Sequence, residues 1–119
     1  MSYAKISLIL FFALIFFLAC NKAAPPASVP LTENKSYAAS LFRQNCAICH
    51  GQDANGKTLD DGKVIPSLRK GEFKFKTDDQ IYNQIANGGN GMVPFRNQLT
   101  DREIRMLVEF VQNELRRSP

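Results

Sequence analysis

The chain has 119 residues, enough for one small domain with additions, and its 15 basic and 11 acidic side chains leave a formal charge of +4. That mild excess excludes the dense basic face with interleaved aromatics that nucleic-acid binding requires, because Asp60, Asp61 and Glu72 interrupt the stretch Lys57, Lys63, Arg69, Lys70, Lys74 and Lys76. The stretch reads as a solvated surface or as a docking patch for an acidic partner.

In chain order, the first element is a leader. After Lys5, residues 6–19 form an apolar run rich in Phe, Leu and Ile. A charged start followed by such a run has the pattern of an export signal, and it falls short of the roughly 20 residues a spanning helix needs. Leu18-Ala19-Cys20 resembles the end of a bacterial lipobox, in which the cysteine is acylated and becomes the new N-terminus. Residues 1–19 are therefore expected to be a signal peptide cleaved before Cys20. Phe17 stands where leucine is usual and Leu18 where a smaller residue is usual, so the alternative is an uncleaved anchor with Cys20 as one more apolar residue. Either form holds the protein at a membrane, since each buried methylene of an acyl chain is worth about 0.8 kcal/mol. Residues 20–34 then read as a tether, with Pro25, Pro26 and Pro30 among small residues. At about 3.1 Å per residue in extended polyproline form it could reach roughly 40 Å.

Residues 35–119 are expected to be the folded domain. A first helix over residues 36–45 faces Leu41 and Phe42 inwards, with Ala38 small enough for a close crossing. It leads into Cys46-Ala47-Ile48-Cys49-His50. Thiols three apart and an imidazole four after the first share one face of a helical turn. This spacing lets two cysteines bond the vinyl groups of one haem while the histidine reaches its iron. Other readings of the motif are a redox dithiol, a zinc site and a local disulfide. The first lacks the strand–helix context it normally has, and the second has three ligands where about four are needed. The third would constrain little.

Residues 51–61, with Gly51, Asn55 and Gly56, should be loop. Thr77-Asp78-Asp79-Gln80 has the form of a capping box, Ile81, Tyr82 and Ile85 supply an apolar face, and Gly88-Gly89 stop the helix. Thr100 and Glu103 form a second capping box, with Leu99 positioned to staple onto Ile104. Ile104, Leu107, Val108, Val111 and Leu115 follow at helical spacing, and Arg116-Arg117 suit a helix C-terminus. No strand pattern of useful length is visible. The expected fold class is all-α, three to four helices around one cofactor.

A domain of about 85 residues supplies a core worth only ~3–5 kcal/mol and usually needs a staple. A buried covalent haem c with its iron would be that staple. His50 is the single histidine of the chain, so a sixth iron ligand must come from elsewhere. Met92 lies on the Gly-rich segment Gly88-Gly89-Asn90-Gly91-Met92-Val93-Pro94-Phe95, which can hold a thioether at fixed reach. A methionine that merely fills a core gap describes Met106 better.

Taken together, Phe42 four before Cys46, the Cys46–His50 motif with Gly51, Ile65-Pro66-Ser67-Leu68, Ile85 three before Gly88, Met92 with Pro94-Phe95, and Leu99-Thr100-Asp101 with Glu103-Ile104 resemble the class I cytochromes c, the small monohaem electron carriers. The resemblance covers about 85 residues in order. It implies that the first and last helices cross and that the third flanks the haem. It also implies that the Pro66 carbonyl fixes the histidine through its other ring nitrogen, and that haem attachment occurs outside the cytoplasm. Ala38 stands where many members have glycine and tryptophan is absent, so contacts to the haem propionates are not assigned.

With His50 and Met92 both on iron, no position remains for substrate, and a one-electron carrier rather than an enzyme is expected. Its partners would be transient redox proteins, such as an oxidase, a reductase or another cytochrome, met on the periplasmic side of a bacterial membrane. The rival is a haem enzyme or a gas or peroxide sensor in which Met92 dissociates.

Overall fold

A computed structural model describes Leu31 and residues 35–117; the leader, Cys20 and the rest of the tether lie outside the described residues. Helix α1 (Tyr37–Asn45) begins where Ser36 Oγ accepts the Ala39 N–H at 3.2 Å, and it buries Ala38, Ala39, Leu41 and Phe42. A single turn, α2 (Ala47–His50), follows directly. Strands β1 (Lys57–Thr58) and β2 (Val64–Ile65) pair antiparallel, with Lys57 opposite Ile65 and Thr58 opposite Val64.

Helix α3 (Asp78–Asn87) has the expected capping box between Thr77 and Gln80, and it turns Ile81, Ile85 and Ala86 inwards. Helix α4 (Asp101–Glu109) has the second box, between Thr100 and Glu103. Both helices start where their sequences say, because a cap needs only residues three apart and no distant partner. No helix among the described residues is long and apolar enough to cross a membrane.

The fold is the small, mostly helical one expected, with three departures in detail. The β1–β2 ladder lies partly within the stretch read as loop. Its cause is local turn chemistry rather than a hydrophobic pattern: Leu59 N–H donates to the Lys63 carbonyl at 2.8 Å and Asp61 Oδ1 accepts the Lys63 N–H at 2.9 Å. Next, the last helix does not stay α. Residues Phe110–Leu115 wind as a π-helix, with the Arg116 N–H donating to Val111 O, five residues back, at 3.2 Å. Phe110 falls off the apolar stripe of α4, yet it is buried against Phe42, ring centroids 5.9 Å apart and tilted by 48°. The crossing with α1 therefore widens the buried arc beyond what a single stripe suggests.

The third departure is Leu31. It lies in the stretch read as tether, but it is only 2 % exposed and belongs to the hydrophobic core. Its carbonyl accepts from Arg43 Nη1 at 2.9 Å. The globule thus takes in a residue upstream of the expected boundary.

Two tyrosines tie the start of α4 to its neighbours. Tyr37 on α1 donates to Glu103 Oε1 at 2.6 Å, and Tyr82 on α3 donates to Asp101 Oδ1 at 2.5 Å. At the far end Arg116 lies over the Phe73 ring, 4.1 Å from its centroid, and donates to the Phe75 carbonyl at 2.8 Å. This clasps the segment leading into α3 against the last helix.

Candidate functional site

The α2 turn gathers three of the expected site residues. Cys49 and His50 both donate their N–H groups to the Cys46 carbonyl, at 3.1 and 2.9 Å, so one turn of helix carries both sulfurs and the imidazole. Cys46 is half-buried against the core, and burial, followed by the neighbouring Cys49, pushes its thiol up to about 12. Cys49 is exposed, and both are free thiols.

Burial holds the His50 ring below its ordinary pKa, which favours the neutral imidazole with a free lone pair. Its Nδ1 is buried and has no hydrogen-bond partner. A buried orphan of this kind calls for a group that the protein does not itself provide. Two thiols, a neutral imidazole and an unsatisfied ring nitrogen fit a covalently attached haem. Among the described residues no three His, Cys, Asp or Glu side chains converge as metal ligands.

Behind this turn the chain coils tightly. Gly56 N–H donates to the His50 carbonyl at 2.9 Å, and Leu68 N–H donates to the Ala54 carbonyl at 2.9 Å. Gly56 sits at φ +76°, and a Cβ there would stand 2.3 Å from Ile65 O and 2.8 Å from the Pro66 carbonyl carbon. The Ile65-Pro66-Ser67 backbone is therefore pressed onto Gly56, which is itself bonded to His50. This brings Pro66 beside the histidine turn, although His50 Nδ1 forms no hydrogen bond to it. Sequence reasoning placed Gly56 in a loop and missed this packing role. Its signal, a glycine after asparagine, is common to any turn.

Met92 is held by a separate segment. Helix α3 ends at Gly88 (φ +69°), where a Cβ would stand 2.5 Å from Met92 O and 2.8 Å from Pro94 N. Gly89 and Met92 exchange backbone hydrogen bonds at 2.9 and 3.0 Å, closing a tight turn with Asn90 at φ +52°. Beyond it, Phe95 N–H donates to Ile85 O at 3.0 Å and Arg96 N–H to Ala86 O at 3.1 Å. These bonds satisfy carbonyls that the end of α3 would otherwise leave open. The methionine side chain, half-buried, rests on the same core as Cys46. Met106 lies on α4, half-buried, outside that set.

An open cavity of about 380 Å³ adjoins Cys49, lined also by Ile48, Lys57, Thr58, Leu59, Asp60 and Asp61. Ile48, which lines it, is 75 % exposed, and Val93, next to Met92 in the chain, is 59 % exposed. Apolar side chains so open to water near the thiols and the methionine are consistent with a surface that a large apolar group would cover.

Comparison with known proteins agrees with this chemistry. The family model described as cytochrome C oxidase, cbb3-type, subunit III matches residues 34–111. A cytochrome c6 from Gracilaria tenuistipitata var. liui is 29 % identical over 99 residues, covering 83 % of this chain and 90 % of the relative. The cbb3-type cytochrome c oxidase subunit FixP of Sinorhizobium medicae is 32 % identical over 89 residues, which is 66 % of this chain but 29 % of that longer protein. Among solved structures, the KustC0563 c-type cytochrome is similar with a TM-score of 0.54 and 33 % identity, covering 61 % of this chain and 90 % of that one.

Proposed function

The chain belongs to the family described as cytochrome C oxidase, cbb3-type, subunit III, and from that membership we propose that it is a membrane-tethered monohaem electron carrier whose iron is held between His50 and Met92. As a c-type cytochrome it binds haem c covalently, and its relatives include cytochromes c6 and cbb3 oxidase subunits. The bound group supplies a one-electron iron couple, and a histidine–methionine pair raises its potential relative to histidine alone.

The chain's own residues set the rest. Cys46 and Cys49 would provide the two thioether sulfurs, one half-buried against the core and one exposed. His50 would offer one ring nitrogen to the iron, and the Pro66 carbonyl is the acceptor that the family resemblance implies for the other, fixing the ring. Met92, on the turn closed by its backbone exchange with Gly89, would supply the second iron ligand, and with both ligands bound the iron would offer no position to a substrate. Acylated Cys20 and the tether keep the carrier on the periplasmic side of a bacterial membrane, where it meets redox proteins transiently. The observation that carries this reading is the α2 turn, with two thiols and a half-buried imidazole, its Nδ1 without a protein partner, on one turn of helix.

The first test is a reduced pyridine haemochrome spectrum of protein extracted with acidified acetone; the expected result is porphyrin that stays with the polypeptide and has the thioether-linked spectrum. Palmitate labelling should mark the wild type and not Cys20→Ser, and equal labelling of the two would end the lipoprotein reading. Carbon monoxide added to the reduced protein at neutral pH should bind slowly and incompletely. Fast, complete binding would favour a gas-binding sensor instead.

A further inference from the structure

A directed chain of side-chain hydrogen bonds ends on the turn that carries Met92. Lys74 Nζ donates to Asn90 Oδ1 at 2.9 Å, and Asn90 Nδ2 donates to Gln84 Oε1 at 3.4 Å. Gln84 Nε2 then donates to the Gly89 carbonyl at 2.8 Å. That same carbonyl accepts the Met92 N–H at 3.0 Å. Each link uses a donor on one side and an acceptor on the other, so the three bonds polarise one another in one direction. The Lys63 ammonium lies against Gly91, occupying the space a Cβ there would need.

Asn90 sits at φ +52°, a left-handed conformation that a residue other than glycine adopts at a cost. Its two side-chain bonds offset that cost and lock the turn in one form. The elements involved come from three separate parts of the chain: α3 supplies Gln84, the segment before α3 supplies Lys74, and the β1–β2 turn supplies Lys63. Neither the family motif nor the spacing of the haem residues involves them.

We propose that Gln84, Asn90 and Lys74 are positioning residues that hold the Gly89–Met92 turn closed and thereby keep the Met92 sulfur on iron. The inference rests on the reading of Met92 as axial ligand. A competing ligand can bind only in molecules whose methionine has left, so its apparent affinity scales with that open fraction. Loosening the turn should raise it, while the thioethers and His50 stay in place.

The test is imidazole titration of the ferric holoprotein, with loss of the sulfur-to-iron absorption as the readout and urea unfolding run in parallel. Gln84→Glu keeps the acceptor for Asn90 but cannot donate to the Gly89 carbonyl. Lys74→Met keeps length without a donor, and Lys76→Met changes charge equally in the same segment. Imidazole should bind Gln84→Glu and Lys74→Met roughly three- to tenfold more tightly than wild type, the equivalent of one net hydrogen bond. Lys76→Met should bind as wild type does, and the urea midpoints should move little. Equal affinity in all four proteins would overturn the latch while leaving the ligand assignment intact. A wild type with no sulfur-to-iron absorption would overturn both, and that outcome is visible before any imidazole is added.

Discussion

The two sides of the site are built by different means. On the histidine side, Cys46, Cys49 and His50 lie in five consecutive residues, and the geometry follows from one helical turn. On the methionine side, Met92 lies in an irregular segment. Its position depends on the end of α3, the Gly89 exchange and side chains from distant parts of the chain. A helical turn carries its own restraint, because each residue's place is set by its neighbours' hydrogen bonds. An irregular turn has no such ladder and must borrow restraint from outside. The methionine side is therefore the one expected to open first.

The largest effect that separates the sides comes from removing the two proposed ligands. His50→Ala should prevent stable holoprotein from accumulating, read as haem per polypeptide after export. Met92→Ala should still carry haem, but with the sulfur-to-iron absorption gone and the potential lowered. An unchanged spectrum in Met92→Ala would move the role to Met106.

Next come the two glycines where backbone meets backbone. Gly56→Ala and Gly88→Ala each add a Cβ within 2.5 Å of a carbonyl oxygen at positive φ. Each is expected to cost about 2–4 kcal/mol, combining overpacking with left-handed strain, as measured by urea unfolding of the holoprotein. Gly88→Ala should also weaken the sulfur-to-iron absorption before unfolding begins, whereas Gly56→Ala should not. Loss of that absorption in both would mean that the two sides are not separable.

A smaller effect should reach both sides equally. Leu31→Ala removes a buried core side chain and should cost about 2 kcal/mol, at the low end for a buried leucine because the residue lies near the edge of the domain. Its unfolding midpoint should fall without any change in absorption. A change confined to the sulfur-to-iron absorption would show that the upstream segment acts on the methionine side alone.

The smallest effect concerns acid. The Tyr37 hydroxyl, with the Thr100 backbone and side chain, holds the Glu103 carboxyl down to about 2. A carboxyl held below its ordinary value adds stability that is present above pH 4.5 and is lost as pH falls through that value towards 2. Because the pair is exposed, the contribution is modest. Tyr37→Phe should lower stability modestly near neutral pH and leave it little altered near pH 2, so that the fall between pH 4.5 and 2 flattens, as followed by thermal unfolding across that range. An unaltered acid slope would mean that the Thr100 bonds alone hold the carboxyl down.

Much of this molecule was legible from sequence because its strongest signals are short-range. The capping boxes at Thr77 and Thr100 formed as read, since each is complete within four residues. The Cys46–His50 motif was legible for the same reason, and so was the Met92 turn, flanked by glycines that only a turn would need. Phe110 was harder: its burial depends on where α1 crosses, and periodicity along α4 alone gives no hint of it. Leu31 was missed because a lone leucine among prolines and alanines looks like linker until a partner, here Arg43, is folded against it.

What the linear chain determined by itself is the chemistry: two thiols and an imidazole at haem spacing, a thioether on a Gly-rich turn, and helices whose ends are written in their caps. Each of these is a relation between near neighbours, and near neighbours stay together in any conformation. The tertiary structure alone decided what presses on those groups: the Pro66 backbone against Gly56, the Gln84–Asn90–Lys74 chain on the Gly89 carbonyl, and the one core beneath Cys46 and Met92. Those contacts join residues far apart in sequence, and they exist only once burial of the shared apolar surface has brought their segments together.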